Sequence, residues 1–442
     1  MKRLLICLVA LIAVFALVMP ASAAEMKVNG LFNAKAWARD NYDGNDDVDD
    51  STQYVTQRFR SYWEWTQSEN LKLVYRNEID MEWGDAGRTG GGDRNDGGIA
   101  GGDTVNLETK NVYLQFMVPD TPVKATLGLQ GVTLHKGWFI SDDVAGARFD
   151  MNFDPVSITA YWVGLNGLFR QDSNRPAGTD DYSSSNDQWS AVVSGAYKAE
   201  NMDARLTLGY QRNPNDATSA DRPESDDLFL LMGEFNMSFD MFNFFVIAGQ
   251  NFGEVKNKTS DNRDYEGFMF NAGGNVALDM ANLTAEFIYA SGEKEGKASK
   301  ADFQGFVGET YSWAEIISDG YTYDRNANLP QAGGDNSPSN MWAVHVGGDL
   351  KPTDTTTLRA DVYYVGLVEK RTVAGDKEDE IGTEIDVRLI QKIYDNLSLT
   401  VLGCYLIADD GYAGGATAAD VAAADNSGDD AFQVGMGIDF NF

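Results

Sequence analysis

The chain has 442 residues, with Lys+Arg 35 against Asp+Glu 67 and a formal net charge of -32, so nucleic acid and anionic membrane faces are poor partners. A mean hydropathy of -0.34 excludes a helical membrane protein, yet suits a transmembrane barrel, in which only alternate strand residues meet lipid. Aromatic residues at 12%, 45 Gly and only 10 Pro favour many strands joined by turns.

Residues 1–24 have the layout of a secretory signal: Lys2-Arg3, an apolar run from Leu4 to Val18, then Pro20 and Ala21-Ser22-Ala23-Ala24. Cleavage is expected just before Ala24 or Glu25. It removes Cys7 and leaves Cys404 without a partner for an intramolecular disulfide. No CxxCH or CxxC run is present, so no cofactor is expected, and residues 25–442 read as a single domain.

Segments of period two then run to the end of the chain. Met26–Asp40 places Val28, Phe32, Ala34, Ala36 and Ala38 on one face and Lys27, Asn29, Asn33, Lys35 and Arg39 on the other. In Leu71–Glu82, the apolar Leu71, Leu73, Tyr75, Ile79 and Met81 oppose Lys72, Arg76, Glu78, Asp80 and Glu82. Similar alternation recurs from Val123–Gly131 to Leu397–Tyr405, and Tyr54–Trp65 is a weaker case. The last stretch, Ala431–Phe442, sets Phe432, Val434, Met436, Ile438, Phe440 and Phe442 against Gln433, Gly435, Gly437, Asp439 and Asn441. It is about the length that crosses a bilayer at a tilt, roughly 9–11 residues. The count comes to about eighteen strands, with sixteen as the alternative.

Long and short connections alternate in phase. Asn41–Ser51, Gly84–Thr104, Leu134–Val144, Asn166–Asp187, Gly292–Ser339, Glu369–Asp379 and Asp409–Asp430 read as long loops. Between them fall tight turns such as Ser68-Glu69-Asn70, Asp154-Pro155 and Asp240-Met241. In a meander crossing a membrane this sends every long loop to one side and every turn to the other. The expected fold is therefore an all-β, transmembrane, antiparallel up-and-down barrel, closed by pairing its first and last strands.

If the apolar face meets lipid, the polar face lines water. Lys35, Arg58, Arg60, Arg76 and Arg148 fall on that face near mid-height, with Glu234, Glu286, Asp361, Glu384 and Asp386, and Arg359 and Arg388, on later strands. Opposed basic and acidic walls would orient polar solutes and set ion selectivity. A barrel this wide needs an inward loop to narrow it. The apolar-rich Gly292–Ser339 is the first candidate, bringing Glu309, Glu315 and Asp319, and Leu134–Val144 with Trp138 and Phe139 is the second. The run Asp40–Asp50 supplies Asp43, Asp46, Asp47 and Asp49 as weak candidate ligands for Ca²⁺, although EF-hand spacing is absent. His135 and His345 lie far apart in sequence, and no GxSxG, HExxH or phosphate-loop run occurs, so no catalytic residue is named and no enzyme is expected.

The signal, the alternating wall, the phased loops and the terminal Phe together resemble the Gram-negative outer-membrane porins. Glu25-Met26-Lys27-Val28-Asn29-Gly30 and Tyr311-Ser312-Trp313-Ala314-Glu315-Ile316-Ile317 are most similar to the homotrimeric porins of sulfate- and metal-reducing bacteria. The resemblance implies outer-membrane lipid and lipopolysaccharide as surroundings, a homotrimer, and passive diffusion of small hydrophilic solutes. No Pro-Glu-Phe-Gly-Gly constriction motif stands in the third long loop. The strand count lies nearer the substrate-selective channels, of sugar or alginate-export type, than the sixteen-strand general porins, which makes a substrate-selective export or uptake channel the alternative. A barrel sheathing a multihaem cytochrome and a plugged structural barrel are the other readings.

Overall fold

The computed structural model describes residues 25–442 except 43, 45, 47–48, 50, 85–97, 99–104, 106, 167–187, 213–222, 258–260, 295–300, 307–312, 318–338, 374 and 413–427. Its first strands are β1 (Glu25–Asp40), β2 (Thr52–Ser68), β3 (Leu71–Glu82), β4 (Glu108–Met117), β5 (Val123–Leu134) and β6 (Ile140–Phe153). Next come β7 (Val156–Asn166), β8 (Gln188–Lys198), β9 (Met202–Arg212), β10 (Pro223–Phe239), β11 (Phe242–Asn257), the two-residue β12 (Arg263–Asp264) and β13 (Phe268–Ala277). The chain finishes with β14 (Ala281–Ala290), β15 (Met341–Thr353), β16 (Thr356–Val373), β17 (Asp376–Tyr394), β18 (Leu397–Ala408) and β19 (Ala431–Asn441).

Each wall strand pairs antiparallel with its neighbours in sequence, and β19 returns to β1, from Leu31↔Asn441 to Asp40↔Phe432. β12 adds only a short ladder to Glu254 and Val255 of β11. The remaining eighteen strands close a barrel without a free edge, as the alternation predicted. At the seam, Gly30 and Phe442 exchange backbone hydrogen bonds of 2.9 and 3.1 Å, and the Phe442 ring stacks on Phe59. A Cβ at Gly30 would stand 2.2 Å from the Arg60 carbonyl oxygen and 2.7 Å from the Phe442 ring. Glycine is therefore required where the chain's two ends meet.

The outer face is apolar and open: Val193, Leu206, Leu208, Val346, Val387 and Met436 are each between 48% and 60% exposed. A belt of large apolar side chains around a closed wall has hydrocarbon as its natural solvent, and closure satisfies the backbone groups inside it. Aromatic contacts mark its two borders. Trp189, Tyr210, Phe229 and Phe252 adjoin in sequence across β8 to β11 toward the long loops, while Phe235, Phe239 and Phe244 gather near the short turns. Rings at these borders are characteristic of transmembrane barrels.

Two loop assignments change. Strand resumes at Ile140, so the connection in Leu134–Val144 is much shorter than expected. Glu369–Asp379 is a hairpin, with Arg371 opposite Glu378 and Lys370 bonded to Asp379 at 3.0 Å. Opposite charges across a ladder stabilise strand pairing, and a polarity-based boundary overlooks them.

Candidate pore constriction

The interior is not uniformly polar. On β10 to β17 the inward side chains include Leu228, Leu230, Met232, Ile247, Met269, Ile288, Met341, Ala343 and Val365, all at most 1% exposed. Water cannot be what covers them. Two connections fold into the barrel and do so.

The first is His135–Phe139, between β5 and β6. His135, Lys136 and Gly137 have φ of +53°, +56° and +96°, a left-handed run that turns the chain sharply inward. Two non-glycine residues there cost roughly 1–2 kcal/mol each, so the docked state needs compensation. His135 Nε2 lies 2.7 Å from Thr207 Oγ1 and its Nδ1 lies 3.2 Å from the Glu234 carboxylate. Lys136 stacks its ammonium on the Phe245 ring. Trp138 and Phe139 are fully buried, each such ring being worth roughly 1.5–3 kcal/mol.

The second connection joins β14 to β15. Ala301–Phe306 is held by paired 2.8 Å hydrogen bonds: Asn251 Nδ2 donates to the Gln304 carbonyl and Gln304 N–H donates to Asn251 Oδ1. The two loops meet where Phe306 N–H donates to the Phe139 carbonyl at 2.7 Å. Phe139 and Phe306 have ring centroids 4.8 Å apart, and both rings pack on the bare backbone of Gly209. Together the loops form one shelf inside the barrel.

The shelf's far end, Trp313–Ile317, sits on β17. The N–H groups of Glu315 and Ile316 donate to Glu384 Oε1, both at 2.7 Å, and Ile317 N–H donates to Oε2 at 2.9 Å. The Glu315 carboxylate pairs with Arg388, four residues further along the same face of β17. Trp313 packs on Tyr363 at 5.4 Å, and Tyr363 stacks on His345 at 4.4 Å. His345 Nε2 in turn lies 2.7 Å from Asp361, which Arg359 holds from the other side.

A second group of charged side chains stands on β2 to β6. Arg58 grips Asp80 through Nε and Nη2 at 2.8 and 2.6 Å and lies 3.3 Å from Glu78. Arg60 pairs with Glu78 as well. Arg76 is exposed, stands 4.9 Å over the Tyr62 ring, and makes no ion pair among the described residues. Arg60, Tyr62, Arg76, Lys110, Asn111 and Asp143 line a polar cavity of about 200 Å³. Arg148 is bound to Asp150 at 2.8 Å and lies over Tyr161. Four basic side chains on these strands, Arg60, Arg76, Lys110 and Arg148, thus stay at least partly exposed to the lumen.

Several candidate residues are packed rather than facing water: Lys35, Arg58, Glu315, Asp361, Glu384 and Asp386 are all at most 7% exposed. Glu315 meets Arg388, not the arginines of β2 and β3. Arg60, Arg76 and Arg148 keep contact with the lumen. Glu309, Asp319, Asp43 and Asp47 lie outside the described residues. Asp46 N–H donates to Asp429 at 3.2 Å, and Asp49 accepts from the Ser51 hydroxyl at 2.7 Å, a bond that holds its carboxyl below the usual range. Among the described residues no group of three or more His, Cys, Asp or Glu side chains is arranged to hold a metal ion.

Alternation missed Lys110 and undervalued His135. An irregularity between Arg76↔Asn111 and Asn77↔Thr109 leaves Lys110 as the extra residue of β4. There it reaches Asp143 at 2.9 Å and Glu78 at 3.7 Å. The signal for the shelf was present in Leu228–Met232, five successive apolar residues that leave the strand no polar face. A strand apolar on both sides must be covered on both.

The sequence matches no protein-family model and no curated protein. Solved structures similar to it include Pseudomonas aeruginosa OprD, at 11% identity and a TM-score of 0.56 over 95% of this chain and 97% of that one. Pseudomonas aeruginosa OccK2 (OpdF) has 12% identity and a TM-score of 0.55 over 95% and 98%. Pseudomonas aeruginosa OpdK, solved with vanillate, has 9% identity and a TM-score of 0.55 over the same shares. OccK2 has also been solved in complex with glucuronate. At such identities the likeness establishes the fold, a large closed β-barrel of the outer-membrane porin type.

Proposed function

We propose that the chain is an outer-membrane porin, a channel through which small hydrophilic solutes and ions diffuse passively. The observation that carries this reading is the contrast across the closed wall: an apolar exterior, and an interior where two connections fold in and the basic side chains of Arg60, Arg76 and Arg148 keep contact with the lumen. A structural barrel has no need to hold the exposed Arg76 on its inner face without an ion pair among the described residues.

The charge pattern narrows the solute class. Arg76 offers a guanidinium that makes no ion pair among the described residues, in the same cavity as Arg60 and Lys110. Such a group recognises anionic oxygen in a bidentate way. Glucuronate and vanillate, bound by two of the similar barrels, are both carboxylates. This channel is assigned small solutes carrying a carboxylate, drawn past Arg76 and Arg60 with Arg148 further along the wall. Lys35, Arg58, Asp361, Glu384 and Asp386 shape the constriction from behind, and Glu315 is the acidic residue of its shelf.

Export signalling by residues 1–24 belongs to the same proposal. So do a homotrimer and the kinship with porins of sulfate- and metal-reducing bacteria, both of which rest on the resemblance of Glu25–Gly30 and Tyr311–Ile317; the mass of the purified protein in detergent tests the trimer. The decisive experiment is single-channel recording in planar bilayers. Discrete ohmic steps are expected, reduced by millimolar glucuronate; their absence would refute the reading.

A further inference from the structure

We propose that Glu384 is the positioning residue of the constriction, a single carboxylate that holds the Trp313–Ile317 end of the shelf on the wall and so sets the width of the bore. The inference rests on the channel reading above.

Three consecutive backbone N–H groups converge on this one side chain, at 2.7, 2.7 and 2.9 Å. Successive amides aimed at one point form an anion-binding nest. Here the anion is supplied by the barrel wall itself. Glu384 is 0% exposed, as are Ala314 and Ile316, and Ile317 is 1% exposed. Water is therefore not available to replace the carboxylate, and three buried donors would be stranded without it. Apolar packing of Ala314, Ile316 and Ile317 favours burial but fixes no register, because greasy contacts have no direction. The Glu315–Arg388 pair adds a second tie, although Arg388 keeps a partly exposed side chain and can turn to water.

Cys404 supplies a built-in reporter. It faces inward on β18, opposite Asp386 in register, and is 4% exposed as a free thiol. It is the only cysteine after residue 24. Its neighbour in register, Asp386, stands two residues from Glu384 on the same face, so the docked segment is expected to shield the thiol from a charged reagent in the lumen. Release of the segment is expected to expose it.

The test compares wild type, Glu384→Ala and Glu384→Gln as full-length outer-membrane protein. Barrel integrity is read from heat-modifiable mobility on gels. For E384A we expect an intact barrel, Cys404 labelling by a charged methanethiosulfonate reagent at least about tenfold faster, and conductance raised roughly twofold as the open cross-section grows. Gln keeps the shape and one acceptor oxygen, but its amide NH₂ would face a backbone donor, so intermediate labelling is expected. If E384A fails to fold, E384Q carries the test alone. An intact E384A or E384Q barrel with wild-type labelling would overturn the latch. Faster labelling in a protein that gives no conductance steps, wild type included, would support the latch and refute the channel.

Discussion

Arg58 and Arg76 lie on adjacent strands and read alike in the sequence, yet their replacement should give opposite results. Arg58 is 7% exposed and bidentate to Asp80. Arg58→Gln leaves Glu78 and Asp80 buried with too little positive charge, and breaking a buried pair in this way costs about 3–5 kcal/mol. Arg76→Gln removes an exposed charge that balances no carboxylate among the described residues, so folding should be unaffected. Its effect falls on the permeating ion. A unit charge about 6 Å from an ion in water contributes about 0.7 kcal/mol. That favours anions and disfavours cations roughly threefold each, so R76Q should move the anion-to-cation permeability ratio by up to about tenfold at low salt. The effect should shrink in 1 M salt, where screening acts within about 3 Å. Reversal potentials across a salt gradient measure the ratio, and gel mobility measures folding. R58Q should show poor folding that R58Q/D80N partly restores. An unchanged ratio in a well-folded R76Q would refute the assignment of Arg76 to the solute route.

Three other outcomes follow from the geometry. Gly209→Leu would place a side chain where a Cβ already stands 2.5 Å from Phe306 and 2.6 Å from Phe139, so both loops should lift, and conductance should rise with the barrel intact; a wild-type step size would contradict the joint shelf. Gly30→Val should obstruct the seam and cut the yield of folded barrel several-fold in refolding assays, whereas Gly195→Val, with open space around it, should be tolerated; equal yields would refute the seam argument. Burial holds the His135 imidazole below its ordinary value, with Glu234 pulling the other way and Arg205 adding to the depression. The docked loop therefore binds a proton less readily than a released one, so docking is complete above the ordinary imidazole pKa, about 6.5, and weakens as pH falls below it. Channel noise and conductance should rise on acidification through that range in wild type, and His135→Gln should flatten the dependence.

The barrel itself was legible in the sequence because its determinants are local. A period of two fixes which side chains share a face, and turn residues fix where the chain reverses, so Phe432 to Phe442 declare a lipid-facing strand without reference to any partner. The phase of the loops followed in the same way. What fills the barrel was not legible, because that depends on contacts between segments far apart in the chain. Alternation put Arg58, Glu384 and Arg76 on one inner face, but it carries no information about what lies across the lumen. Only the closed structure brings Glu384 under the amides of Glu315 to Ile317, sets Phe139 against Phe306 over Gly209, and leaves Arg76 facing water. Sequence decides which side of the wall a residue occupies; the volume inside the wall, too large to stay empty and too apolar on one side to stay wet, decides whether that residue is buried or lines the route.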